Sequence, residues 1–406
     1  MFRPRLTRVL KFTAVAAILL FAVALAVNRM GGTSGPINGP IRDILSAGAQ
    51  DLIAAAFHGL GSAAVADYHV HMIELSEDIN PDMFSWRHPF ERIKTSVMMS
   101  ATGVSDLSRS DEQYLGRLQE LTEYFGRSGR FYLYAFDRHY RRDGTVDPEK
   151  TVFHASNDYV VGIANRYPDR FAAVISVHPF RTDALAELER WTRQGVRFVK
   201  WLPNAQGIPV DDPALDEFYR TMIRHDMVLF VHAGKEIAAS LWTDQELGNP
   251  LRLRYPLDLG VRVVVLHCAS LGTYEDLDNP GQSASAFELF LRLMDEDAYD
   301  GRLFGEISAV TQINRIAEPL VSLIRRDDLH HRLINGSDYP LPAMNVVIQT
   351  WPLWWLGMIT NEERGYLNEI FSYNPLLFDF VLKRSVKDPD TGRRLPAKVF
   401  FEHPDL

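Results

Sequence analysis

Two histidines separated by one residue, His69 and His71, close the run Ala64 to His71 (AVADYHVH). If that run is a β-strand, alternation of side chains puts both imidazoles on one face, where they can chelate one divalent ion. Alone, the pair could equally be two histidines with no metal. Four more titratable residues sit at or near the ends of other apolar runs: Lys200 in RFVKWLP, His232 in LFVHAGKE, His267 in VVVLHCAS and Asp338 in NGSDYP. Each has a plainer reading. Lys200 could snorkel to the surface, His232 and His267 could be core histidines bonded to carbonyls, and Asp338 could be a turn residue among Asn, Gly, Ser and Pro. Cys268 neighbours His267, but adjacent strand residues face opposite ways, so it reads as a packed core thiol and not a nucleophile.

The elements that must position these groups follow from the run pattern. Short β-rich runs alternating with helix-like sequence are the mark of parallel βαβ units. Eight runs fit: Ala64 to His71, Thr95 to Met99, Phe171 to Val177, Val196 to Leu202, Met227 to His232, Val261 to His267, Leu303 to Ser308 and Arg332 to Asp338. Five of them end in a potential ligand or proton carrier, and a (β/α)8 TIM barrel builds its active site at the carboxyl ends of its strands. The expected fold is therefore an α/β, (β/α)8 barrel with a metal site at the carboxyl rim of its strands. A ninth run, Phe131 to Phe136, spoils the count. It is assigned, with a helix over Asp111 to Phe125, to a long insertion after the second strand, near the barrel mouth. Asp183 to Gln194 and Pro213 to His225 have helical spacing. The expected division is 1–30 signal sequence or anchor, 31–60 linker and lead-in, 61–384 catalytic barrel, and 385–406 a tail wrapping the outside.

The first residues carry their own message. Arg3, Arg5, Arg8 and Lys11 precede the apolar run Phe12 to Val27, the order of a signal sequence or an amino-terminal hydrophobic helix, and Gly31 to Pro40 reads as a linker. The chain is expected outside the cytosol. It is either anchored in the cytoplasmic membrane by that one helix or, if cleaved near Ala24-Leu25-Ala26, periplasmic or secreted. The net charge of −9 offers no basic stripe beyond the amino terminus and argues against nucleic acid as a partner. With Cys268 the sole cysteine, neither a disulfide framework nor a cysteine-rich zinc site can form within one chain. A small-molecule substrate is expected, and a homo-oligomer is compatible with the composition.

The motifs DYHVH (67–71), FVKWLP (198–203), FVHAGK (230–235), VLHCAS (265–270), GSDYP (336–340) and YNPLLF (373–378) resemble, in order and spacing, the amidohydrolase-related (amidohydrolase 2) branch of the amidohydrolase superfamily. That branch also includes decarboxylases of aromatic and unsaturated carboxylic acids. The resemblance implies that His69, His71, His232 and Asp338 ligate one divalent ion, usually Zn2+. It implies that Asp338 moves the proton and that His267 hydrogen-bonds the attacked group or the nucleophile. Lys200 matches the position where two-metal members carry a carboxylated lysine, which with His232 and His267 would hold a second metal. The implied function is a metal-dependent hydrolase whose metal-activated water attacks the carbonyl of an amide, ester or lactone in a small carboxylate-bearing molecule. A nonoxidative decarboxylase on the same mononuclear site and a non-catalytic envelope-associated binding module are the alternatives. By position after the strands, Arg87 (beside Trp86 and His88), Trp201 and Asn204 are candidate substrate contacts, with Arg315 a weaker one.

Overall fold

The computed structural model describes residues 41–60, 64–75, 89–125, 129–151, 154–237, 244–316 and 318–406. The expected amino-terminal hydrophobic helix and the loop with Trp86, Arg87 and His88 lie outside these residues. Among the described residues no helix is long and apolar enough to cross a membrane.

Ten strands are described: β1 Val65–His71, β2 Gly129–Tyr134, β3 Phe171–Val174, β4 Phe198–Trp201, β5 Val228–His232, β6 Arg262–Leu266, β7 Thr273–Glu275, β8 Ser283–Ser285, β9 Leu303–Glu306 and β10 Leu333–Ile334. Helices of six residues or more are α1 Ala47–Phe57, α2 Pro89–Ala101, α3 Ser110–Glu123, α4 Asn157–Arg166, α5 Ala184–Thr192, α6 Asp216–Arg224, α7 Arg254–Leu259, α8 Ala286–Met294, α9 Glu318–Arg325, α10 Thr350–Trp355, α11 Asn361–Tyr373 and α12 Pro375–Ser385. The fold is α/β with parallel sheets, one in the order β1-β2-β3 and the other β10-β9-β6-β5-β4. β7 and β8 form a separate antiparallel pair. Backbone hydrogen bonds cross both seams between the parallel sheets. Ile175 N donates to Phe198 O at 3.0 Å and Lys200 N to Ile175 O at 2.7 Å; Tyr68 N donates to Asn335 O at 2.9 Å and Asp338 N to His69 O at 2.8 Å.

Both faces of the strands are buried, as parallel sheets require. Leu229 and Val231 join the large core against the helices, while Val228 and Phe230, one residue out of phase, join a second cluster with Ala66, Tyr68, Tyr132, Val264 and Phe304. Local signals start the helices: Ser46, Ser156 and Ser285 hydroxyls cap α1, α4 and α8, and Thr360 with Glu363 forms a capping box on α11.

Three expectations are corrected here. Thr95 to Met99, read as the second strand, is the middle of α2. A short apolar run does not distinguish strand from helix, and Pro89 at the helix start was the better signal. The second strand is the surplus run, now β2, paired in parallel with both β1 and β3. The supposed insertion is thus split by β2, with α3 before it and, after it, residues 135–151 and 154–156, which form no helix or extended strand. The tail does not wrap the outside: Val399 and Phe400 are buried, Phe401 bridges Val65, and Leu406 packs on the cluster containing Phe230. Its apolar residues leave water by closing the amino ends of the strands. β10 is also shorter than its run: it ends at Ile334, and beyond it backbone bonds to β1 continue through Asn335 O and Asp338 N.

Candidate metal centre

The site begins with an irregularity in β1. Asp67 pairs with Phe131 and Val70 with Leu133, so three steps along β1 match two along β2, which is a β-bulge. The extra residue breaks the alternation, and consecutive side chains turn to the same side. Tyr68 stacks on Tyr132 with centroids 4.2 Å apart, and His69 stacks on Tyr134 at 4.6 Å. His71 follows on the same face as His69. Their Nε2 atoms lie 3.1 Å apart, and Asp338 Oδ1 lies 3.3 Å from the first and 3.2 Å from the second. Ligand atoms about 2.1 Å from a tetrahedral ion stand roughly 3.4 Å from one another, so these three donors have the spacing of a metal site.

The donors are held from behind. His69 Nδ1 donates to Glu306 Oε2 at 3.1 Å, which leaves the Nε2 lone pair facing Asp338 and His71. Ser308 gives its proton to Glu306 Oε2 at 2.6 Å and accepts from His267 Nδ1 at 2.7 Å. The lone pair of His267 Nε2 is thereby aimed at the second carboxylate oxygen of Asp338, 3.8 Å away. Gly336 makes room, since a Cβ there would overlap Glu306 Oε1 and the Cβ of His69. His69, His267 and Glu306 form a second set of nearby donors. Hydrogen bonds through Ser308 already satisfy that set, so it supports the centre and does not constitute one. Backbone strain collects at this rim: His267, Cys268, Ala269, Ala309 and Asp338 all have positive φ between 47° and 60°.

His69, His71, Lys200, His232, Glu236, His267 and Asp338 line a single cavity of about 150 Å3. Burial pushes the basicity of His69, His71 and His267 well down, with neighbouring imidazoles and cations adding to it, so the rings are neutral and able to ligate. Burial holds His232 down to about 4 against the pull of Glu236, whose Oε2 is 3.5 Å from His232 Nε2. That Nε2 is buried and makes no hydrogen bond. Burial likewise lowers Lys200 to about 8, opposed by Asp338 and Glu236; its Nζ sits 5.0 and 5.3 Å from the rings of Phe136 and Tyr134. Burial, then Glu306, raises Asp338 well above the usual carboxylate range, and burial lifts Glu306 to about 7. A divalent cation among these groups would favour the neutral imidazoles and the ionised Asp338. The orphaned His232 nitrogen and the three convergent donors fit such an ion.

A family model described as amidohydrolase (Amidohydro_2) matches residues 66–364. The chain belongs to the amidohydrolase family. Solved structures similar to this amidohydrolase include an uncharacterised TIM-barrel protein from Bordetella bronchiseptica, 16% identical over 78% of this chain and 99% of the other, TM-score 0.48. A probable 2-pyrone-4,6-dicarboxylic acid hydrolase from Acinetobacter baumannii is 15% identical over 77% of this chain and 95% of its own, TM-score 0.40. The 5-carboxyvanillate decarboxylase of Sphingomonas paucimobilis is 12% identical over 83% and 96%, TM-score 0.47. No curated protein matches the sequence.

Two expected substrate contacts of this amidohydrolase are elsewhere. Trp201 is buried on the opposite side of β4 from Lys200, donating to Val177 O at 2.8 Å and packing on Phe218 at 5.1 Å, because neighbouring strand residues alternate. Asn204 lies in the short helix after β4, bonded to Gly234 O at 3.3 Å, and faces a different cleft with His139 and Gln245. Arg315 is buried, donates to Ser270 Oγ at 2.9 Å, and depresses the basicity of His267 and His232 from nearby. Residues that sequence reasoning passed over are Glu306, Ser308 and Glu236. The first two had a legible signal: in LFGEIS two polar residues recur at i and i+2 at the end of an apolar run, as the two histidines do in DYHVH.

Proposed function

We propose that this chain is a metal-dependent hydrolase acting on a carbonyl of a small carboxylate-bearing molecule, with the eight parallel strands forming one closed (β/α)8 barrel. The observation that carries the reading is the convergence of His69 Nε2, His71 Nε2 and Asp338 Oδ1 within 3.1–3.3 Å of one another, beside a cavity that His232, His267 and Lys200 also line. His69, His71, His232 and Asp338 would hold one divalent ion, and an imidazole–carboxylate set suits Zn2+. When bound, the ion supplies a Lewis acid for the carbonyl and lowers the pKa of water. Asp338 Oδ2 and His267 Nε2, 3.8 Å apart, orient the attacking water between them, and Asp338 carries its proton to the leaving group. Lys200, enclosed by aromatic rings, holds the substrate carboxylate as a desolvated cation. Met72, Ile73, Met98, Leu341 and Met344 give the rest of the cavity an apolar wall for the substrate body.

The test is elemental analysis of the purified protein followed by paired assays on unsaturated and aromatic carboxylates, lactones and amides, with and without chelator. Net addition of water that stops on chelation and returns with Zn2+ is the expected result. Release of carbon dioxide without water addition would replace hydrolysis by nonoxidative decarboxylation on the same residues. Activity that survives complete removal of metal would end the reading.

A further inference from the structure

Helix α10 is apolar on both sides. Thr350, Pro352 and Leu353 face the core. Trp351, Trp354 and Trp355, at i, i+3 and i+4, share the other side and are 51%, 41% and 76% exposed, with Leu356 and Val346 also exposed. Surface helices normally turn polar residues outward, and a contiguous exposed apolar patch marks an interaction site. Three of the chain's seven tryptophans stand on this one helix face.

We propose that this face is an interfacial membrane contact that seats the protein on a phospholipid surface, independently of the reaction assigned above. Tryptophan is the side chain that settles at headgroup depth, its ring in the acyl boundary and its N–H towards water. A groove of about 420 Å3 opens beside Trp351, walled by Gln349, Arg364, Asn368 and Ser372; Gln349 and Ser372 donate within the chain, to Asn345 and Asn368, and the Arg364 guanidinium is the cation the groove offers to a headgroup phosphate. Arg364 lies 5.5 Å over the ring of Trp354, so cation and indole are presented together. The path of the chain agrees. The described chain enters at Ile41, and Ser46 N donates to Glu369 Oε2 at 3.1 Å on α11, the same helix that carries Arg364 five residues earlier. Five helical residues are about 7.5 Å. The apolar run Phe12 to Val27 precedes this point by thirteen residues, 28–40, Gly- and Pro-rich from Gly31 on, that reach at most about 47 Å when fully extended. A bilayer that holds that run therefore lies within reach of the tryptophan face.

The experiment uses the full chain with Trp355→Cys, where the added thiol can be labelled because Cys268 is buried. An environment-sensitive fluorophore there is followed on mixing with phosphatidylcholine vesicles, whose neutral surface removes any effect of the net charge of −9. The expected result is a blue shift, with several-fold stronger quenching by lipids brominated in the upper acyl chain than for the same label at exposed Arg193→Cys after α5. A label at Leu356→Cys should lose that quenching when Trp351, Trp354 and Trp355 are replaced by Ser, with metal content and Tm unchanged. Equal, weak quenching at 355 and 193 on vesicle-bound protein, or no vesicle binding, would overturn the proposal. So would a blue shift that needs no lipid and grows with protein concentration, which assigns the face to a second copy of the chain.

Discussion

At the amino ends of the strands Tyr68 stacks on Tyr132, Phe304 meets His403 edge-on at 5.0 Å, and the polar tips are all engaged: Tyr132 OH donates to Glu402 at 2.9 Å and Tyr68 OH accepts from His403 N at 2.8 Å. At the carboxyl ends the Nε2 atoms of His69 and His71 face one another at 3.1 Å, His232 Nε2 has no hydrogen-bond partner, and five non-glycine residues hold a left-handed backbone. Such conformations cost about 1–3 kcal/mol each. One end is built to stay folded and the other carries unsatisfied donors that a ligand must complete. The closed end over-determines the fold and lets the open end remain strained.

Variants can break this contrast from either side. The largest effect is expected for His69→Ala combined with His71→Ala: bound metal falls to background by elemental analysis and turnover is lost, while circular dichroism stays native because the closed end is intact. Next, Asp338→Asn should lower kcat by about 10²–10⁴-fold, the usual worth of a positioned proton carrier. Glu306→Gln touches no substrate. It should weaken metal affinity about 10–100-fold in a competitive chelation titration, as loss of a carboxylate behind a ligating histidine does.

At the closed end the order of effects reverses. Phe304→Ala should cost about 3–5 kcal/mol in denaturant unfolding while metal content per folded molecule stays constant. The smallest effect belongs to His178, at the rim but outside the centre, with Nε2 donating to Gln206 O at 2.9 Å. Burial holds it down to about 4 from 6.5. The unfolded chain therefore takes up this proton first, and stability falls as pH drops from about 6.5 to 4, by on the order of 3 kcal/mol for this group. His178→Gln should flatten that slope in Tm measured against pH, whatever it does to Tm at neutral pH. A slope identical to the parent's would show that His178 is accessible.

Much of the contrast could be read without coordinates. The donors of the open end stand at or near the ends of β-rich runs, and both the run pattern and the order of the motifs are local properties of the chain. His69, His71, Lys200, His232, His267 and Asp338 all reach one cavity, as their positions after the runs implied. What misled was also local. Thr95 to Met99 has the composition of a strand but the length and start signal of a helix, and Trp201 stands beside Lys200 in sequence while facing away from it.

By itself the sequence determined the kinds of donor, their order along the chain and the alternation that brings them to one rim, because each is set by neighbours a few positions apart. The tertiary structure decided which run became the second strand, how the bulge in β1 turned both Tyr68 and His69 inward, and how Glu306 and Ser308 came to hold His69 and His267. Those outcomes depend on pairings such as His69 with Glu306, 237 positions apart. No local propensity records a contact of that range, since its free energy exists only once both strands are packed.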